Sequence, residues 1–388
     1  MRFARATGFI PSPAIEALRS RSPLSGLDVE AFLAAHRFPL IEGSTATFVW
    51  RGEAVAVHLV HMIFGLPTQQ PFIRLEGSDL WYLTLELPSR SRVEYKIEVV
   101  RGADSALIED PLNPLRTRDP FGTNSVVQAD GYTTPEWVAY DPEARPGTLE
   151  ELVVPSEGLG RDARVTLYLP ARFRRARRYP LLLVHDGGDF LAYGGMKTVL
   201  DNLFHRHDVA EMLVAFLHPG ERLVEYADHP GHARFLAGEL TPLLERDWPL
   251  VADPAERGIM GASFGAVAAL AAAARFPGRF GRLLLLSGSF AFTDIGPSRW
   301  GPAFEPVVSF VNAFRQRPTR VSDRVFLSCG TYESLIYENR SMVPLLQSTG
   351  MEVRYVEARD GHNWENWRDR LREGLSWLFP GPLWMIYE

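Results

Sequence analysis

Residues 257–276 read RGIMGASFGAVAALAAAARF, an apolar strand running into an alanine-rich helix with Gly261-Ala262-Ser263-Phe264-Gly265 at the corner. Any tight strand-to-helix turn asks for small residues. Small residues two before and two after a serine also describe a turn on which the hydroxyl is held out of the fold to attack a carbonyl. Such a serine is a poor nucleophile until a base removes its proton, so a histidine and an acid that orients it must follow in the chain. His362, in DGHNWENW after the apolar run VRYVEARDG, stands in the right place, and histidine is the residue type suited to act as a base near neutral pH. The acid is expected after the preceding strand RVFLSCG, which points to Glu333, with Glu338 and Asp360 as alternates. A glutamate at that point is also favoured simply by the dipole of the helix it opens. Negative charge developing on the attacked carbonyl needs backbone donors. Phe264, directly after the serine, supplies one, and Gly187 and Gly188 in LLLVHDGGDF are the candidates for a second.

These residues must be positioned by elements the pattern also supplies. YPLLLVHD, MLVAFLHP, RGIMGAS, RLLLLSGS, RVFLSCGT and EVRYVEARD are apolar runs, most of them separated by helical segments. Strands apolar on both faces that alternate with helices predict an α/β fold with a mainly parallel sheet covered on both sides. LEELVVPS and ARVTLYLP predict an opening hairpin. Ahead of these, TATFVWRG, AVAVHLVHM, LWYLTLEL and VEYKIEVV alternate with a period near two, predicting a small antiparallel β-sandwich. EDPLNPLRTRDPFGTNS is expected to leave it as a proline-rich loop. The predicted division is a helical segment over 1–43, a β-sandwich over 44–132, a linker over 133–148 and an α/β domain over 149–388. Ser12-Pro13 should cap the first helix, and DVEAFLAAHRF has helical spacing.

Composition excludes some classes of function. A net charge of −6 offers no electrostatic footprint for nucleic acid. The lone cysteine, Cys329, allows no internal disulfide and reads as a core residue. The N-terminal residues lack a signal-peptide core and no run approaches the length of a membrane span, so a cytoplasmic location is expected. His205 with His207 and His229 with His232 lack the H-E-x-x-H pattern or companion cysteines, so solvated or helix-capping roles are expected and no metal is implied. The run Arg172–Arg178 is expected as an exposed hairpin loop.

The stretch GASFGAVAALAAAARFPGRFGRLLLLSGSF resembles the elbow region of the esterase family that includes the enterochelin esterases, cytoplasmic α/β-hydrolases that cleave the trilactone esters of ferric catecholate siderophores. GERLVEY, GTYESLIYENRSMVPLLQSTG and GHNWENW are similar to further segments of that family, and FVWRG, DLWYLTLELP, VEYKIEV and EDPLNP to the immunoglobulin-like domain preceding it. The resemblance implies Ser263, Glu333 and His362 as a triad working through an acyl-enzyme, with no metal or organic cofactor. The implied partner is a small-molecule ester, with iron-loaded siderophore first. Such an anionic substrate would call on arginines, for which Arg222 and Arg299 are candidates, and on aromatic walls such as Trp364, Trp367 or Trp300. Two alternatives stay open: an acetyl- or feruloyl-type esterase acting on carbohydrate esters, and a non-catalytic binding protein on a hydrolase scaffold. Oligomeric state is left open.

Overall fold

The structure is a computed structural model that describes residues 10–21, 23–292 and 301–382. The chain divides into two units. One holds residues up to Thr133 together with Thr331–Ser334 and Ala358–Asn363, and the other holds the remainder.

In the first unit, ten short strands form two sheets. They are β1 (Leu40–Glu42), β2 (Thr45–Arg51), β3 (Ala56–His61), β4 (Gln69–Pro71), β5 (Ile73–Arg74), β6 (Leu80–Glu86), β7 (Arg92–Arg101), β8 (Asp104–Ile108), β9 (Arg116–Asp119) and β10 (Gly122–Gln128). One sheet has the order β1-β2-β6-β5 and the other β4-β3-β7-β10-β9, with β8 also paired to β7. The period-two pattern explains the packing. Ala46, Phe48 and Trp50 of β2 share a core with Val57, Leu59, Tyr95 and Ile97 of the second sheet. Val49, on the opposite face, packs instead with Ile15, Leu18, Val29 and Phe32 from the helices Pro13–Arg19 and Gly26–Ala35. Ser12 caps the first of these helices as its sequence predicts.

The segment expected as a departing loop is a hairpin instead. β9 and β10 pair across Pro120-Phe121, with Asp119 opposite Gly122. Its polar edge-strand residues carry little of the apolar alternation that marks a strand in sequence. EDPLNP itself is a hydrogen-bonded knot. Buried Asp110 accepts from the Tyr95 hydroxyl at 2.6 Å and from the Leu112 amide at 2.9 Å. The Asn113 side chain donates to the Val126 carbonyl at 2.8 Å.

The second unit is built on one sheet: β11 (Thr148–Ser156), β12 (Arg161–Leu169), β13 (Leu181–Val184), β14 (Leu213–His218), β15 (Arg257–Ala262), β16 (Arg282–Leu286), β17 (Arg324–Gly330) and β18 (Glu352–Ala358). Its order is β11-β12-β14-β13-β15-β16-β17-β18. β11 and β12 form the expected antiparallel hairpin, β12 meets β14 antiparallel, and β14, β13, β15, β16 and β17 run parallel. β12 and β13 are not neighbours, so the arginine run between them is a crossing connection and not a hairpin.

Alternate residues of each central strand join different cores. Leu181, Leu183, Ile259, Leu283, Leu285 and Val325 face the helices Phe264–Arg275, Glu305–Gln316 and Ile336–Ser348. Leu182, Val184, Met260, Leu284 and Phe326 face Met196–His205 and Trp364–Leu378. Burial on both faces is why these strands read as unbroken apolar runs. Among the described residues no helix is long and apolar enough to cross a membrane.

His229 caps the helix Pro230–Arg234, in line with expectation, but His232 is buried. His185 Nδ1 donates to the Met260 carbonyl at 2.9 Å, so its Nε2 accepts from His232 Nε2 at 2.9 Å. Burial lowers the His185 pKa to about 4 and pushes His232 well below the usual histidine value. Burial also lowers His61, in the first unit, to about 4.

The packing yields two expectations. A Cβ on Gly374 would lie 2.3 Å from Leu284 Cδ1 and 3.2 Å from Phe326 Cδ1. Gly374→Val should therefore cost about 1–3 kcal/mol, read as a drop of several degrees in the melting temperature; an unchanged melting temperature would refute the close packing. For the histidines the folded pKa values lie below the unfolded value of about 6.5, so the unfolded chain binds more protons in between. Stability should be undiminished above pH ~6.5 and fall as pH drops toward 4. Calorimetry at pH ~5.5 should find proton uptake on unfolding reduced by about one proton for each of His61, His185 and His232 that is replaced by glutamine.

Candidate active site

β15 ends at Ala262 and the helix Phe264–Arg275 begins two residues later, so Ser263 alone makes the turn. It does so at φ 57°, ψ −122°, a region that L-residues avoid. Its amide donates to the Leu286 carbonyl at 2.9 Å, and its carbonyl accepts from the Ser289 amide at 3.1 Å. Gly261 is sterically required and Gly265 is tightly confined. A Cβ on Gly261 would sit 2.2 Å from the Gly265 backbone, and one on Gly265 would meet His185 Cβ at 3.1 Å.

The Ser263 hydroxyl lies 3.1 Å from the hydroxyl of Ser289. Sequence reasoning passed over Ser289, whose only signal is its place among small residues after β16. The segment is tightly held. The Ser287 amide donates to the Ser328 carbonyl at 2.7 Å, and Trp367 Nε1 to Ser287 Oγ at 2.9 Å. The Asn339 side chain brackets Gly288, accepting from its amide at 3.0 Å and donating to its carbonyl at 2.8 Å.

Phe264 is the first residue of its helix, and Gly187 and Gly188 open another, Gly187–Ala192, after β13. Amides in these positions have no partner within their own helix. Gly187 has no room for a side chain, since a Cβ would lie 2.5 Å from the Phe216 backbone. The preceding Asp186 is left-handed at φ 52°. Its carboxylate is gripped by Arg222 through two hydrogen bonds of 2.7 and 2.8 Å, and its amide donates to the Tyr226 hydroxyl at 3.0 Å. Arg222, read from the sequence as a substrate ligand, is thus engaged in holding the turn that presents Gly187 and Gly188. Trp364 packs edge-on against Phe190 and Trp367, and is buried. Arg299 and Trp300 lie outside the described residues.

In the other unit, His362 Nδ1 donates to Glu333 Oε2 at 2.7 Å. Glu333 is 2 % exposed, whereas the His362 side chain is 38 % exposed. With its proton held on Nδ1, the neutral ring keeps Nε2 as its basic nitrogen. The two alternate acids are placed differently. Glu338 lies in the helix Ile336–Ser348, its Oε2 buried with no hydrogen-bond partner, and burial raises its pKa. Asp360 accepts instead from Arg92 at 3.3 Å, from the Gly361 amide at 2.7 Å and from Asn363 at 2.8 Å. A cavity of about 340 Å³ in this unit is lined by His362 together with Tyr332, Arg92, Glu94, Lys96 and Asp119.

The model of the Esterase family, described as "Putative esterase", matches residues 156–378. An iron(III) enterobactin esterase of Dickeya dadantii is 25% identical over 350 residues, 80% of each chain, and that of Escherichia coli K12 is 24% identical over 333 residues, 79% of this chain and 81% of the other. The crystal structure of the enterobactin esterase of Shigella flexneri in the presence of enterobactin superposes with a TM-score of 0.71 at 21% identity, covering 90% of this chain and 97% of that one. A ferulic acid esterase superposes with a TM-score of 0.52 at 20% identity, covering 61% of this chain and 99% of the other. The family match spans more than half of the chain, and with it the strand–serine–helix turn and the two loops bearing Glu333 and His362: the protein belongs to the Esterase family and is a carboxylic ester hydrolase, similar to the iron(III) enterobactin esterases.

Proposed function

We propose that the protein is a serine esterase in which Ser263 is the nucleophile, His362 the general base and Glu333 the group that orients it. The observation that carries the reading is the 2.7 Å hydrogen bond from His362 Nδ1 to buried Glu333, which fixes the tautomer a general base needs. Nε2 takes the proton of the Ser263 hydroxyl as its oxygen bonds to the ester carbonyl. The carboxylate of Glu333 stabilises the imidazolium that results. Amides of Phe264 and of Gly187 or Gly188 stabilise the oxyanion. The ester C–O bond then breaks, the leaving alcohol takes the proton from His362, and water repeats the sequence to release the acid.

The proposed substrate is a ferric catecholate siderophore ester of the enterobactin type, with the N-terminal strands as an immunoglobulin-like domain. Support comes from the iron(III) enterobactin esterases, aligned over about four-fifths of both chains. One observation favours a second substrate class. Glu94 and Asp119 place two carboxylates in the wall of the cavity beside His362, against Lys96 and an Arg92 that is already paired with Glu94. Such a wall suits a neutral, hydroxyl-rich ester, such as an acetylated or feruloylated sugar, better than a trianionic iron complex.

A panel of iron-loaded trilactone, feruloyl-sugar and acetyl-sugar esters decides between them. Preferred turnover of the trilactone supports the first reading, and turnover of the sugar esters alone supports the second. Ser263→Ala and His362→Ala should each lower kcat by about 10⁴-fold or more on whichever ester is cleaved. Wild-type turnover by either variant would overturn the catalytic assignment.

A further inference from the structure

Ser91, just before β7, and Arg92, its first residue, each hold one of the loops that carry Glu333 and His362. Ser91 is fully buried, and its hydroxyl lies 2.5 Å from that of Tyr332, the residue next to Glu333. The Tyr332 carbonyl also accepts from the Phe64 amide at 2.8 Å. Arg92 is 2 % exposed, and its amide donates to the Arg359 carbonyl at 2.9 Å. Its guanidinium donates to Asp360 at 3.3 Å and to Asn363 at 3.1 Å, so it grips the chain on both sides of His362. A second nitrogen is held by Glu94 at 3.1 Å, which fixes the plane of the fork. The two loops are also tied to each other, Thr331 to Ala358 at 2.7 Å and Tyr332 to Asp360 at 3.2 Å.

We infer that Ser91 and Arg92 are positioning residues for the esterase reaction: together they set the register of the Glu333 loop against the His362 loop. Residues joined by one peptide bond keep a fixed spacing, and Arg92 is anchored as the first residue of β7. One rigid element thereby fixes where the acid stands relative to the base. A flexible tether could not do so. The arginine fork reaches Asp360 and Asn363 in a plane that a lysine would not reproduce. Neither residue is asked to touch substrate. Through them the β-rich unit holds the two loops that carry the proposed acid and base.

The inference rests on the triad assignment proposed above, so its test separates the two. The readout is the rate at which a fluorophosphonate modifies Ser263, followed against pH, which reports the base without requiring the natural ester. Wild type should react, and Ser263→Ala and His362→Ala should not; reaction of either would sink the triad and not the clamp alone. Given that baseline, Arg92→Lys, Ser91→Ala and Tyr332→Phe should each react about 10- to 100-fold more slowly at pH 7, since a displacement near 1 Å carries costs of that order. Their profiles should move to lower pH, because a loosened carboxylate stabilises the imidazolium less. Ser91→Ala combined with Tyr332→Phe should be no slower than either alone, as expected for two halves of one contact. Melting curves count the folded fraction, which guards against Arg92→Lys acting through stability. Variants that fold and react with the wild-type rate and pH profile would overturn the inference. So would rates that fall only in step with the folded fraction.

Discussion

Ser263 stands at φ 57°, ψ −122°, where an L-residue costs about 1–3 kcal/mol. That conformation survives only because its surroundings leave the backbone nowhere else to go. The Leu286 carbonyl, at the end of the neighbouring strand, holds its amide, and the Ser289 amide holds its carbonyl. Gly261 and Gly265 approach so closely that any side chain at Gly261 would collide with backbone. The turn leaves the hydroxyl 3.1 Å from that of Ser289, and the sheet supplies the rigidity. A doubly covered sheet with residues alternating between two cores is the kind of support such a turn needs, because close-packed interiors resist small displacements.

The remaining machinery shows the same economy. Each group assigned a role follows directly on a strand: Asp186 to Gly188 after β13, Ser263 after β15, Ser287 to Ser289 after β16, Glu333 after β17 and His362 after β18. Carboxyl ends of parallel strands are where an α/β fold leaves backbone and side chains available for chemistry. Around these positions, other polar groups act as braces. Arg222 braces Asp186, Asn339 braces Gly288 and Trp367 braces Ser287. Arg222 shows how a charged residue in a suggestive motif also serves as support, since one edge of its guanidinium, Nε and Nη2, is bonded to Asp186.

What the sequence revealed follows from how local the physics is. The turn at Ser263 was legible because glycine spacing and apolar runs are written within twenty residues. The central strands were legible because burial on both faces leaves an unbroken apolar signature. Chain order pointed to Glu333 and His362 and left Glu338 and Asp360 open as alternates. In the structure the three carboxylates differ in their hydrogen bonds, and Glu333 is the one bonded to His362. β9 and β10 were missed because a polar hairpin with a Pro120-Phe121 turn lacks the pattern by which strands are recognised. Ser289 and Arg92 were invisible for another reason: their partners lie 26 and 268 residues away. His232 looked like a surface histidine, and only its contact with His185 identifies it as a buried neutral one.

The division of the chain sharpens the point about Arg92. The sequence assigned residues 149–388 to one domain, yet Thr331–Ser334 and Ala358–Asn363 group with the β-rich unit. The hydrogen bonds of Ser91, Arg92 and Phe64 are the physical reason. A carboxylate orients an imidazole only if the two loops bearing them keep a common frame, and loops are the least rigid parts of a fold. Binding both loops to two adjacent residues, Ser91 and the first residue of β7, supplies that frame at the cost of burying a guanidinium. The cost is tolerable because Glu94 and Asp360 pair with the buried charge and Asn363 accepts a further hydrogen bond. A buried ion pair is a weak argument for stability by itself. Its placement on both flanks of His362, the proposed general base, matches the positioning role proposed for it.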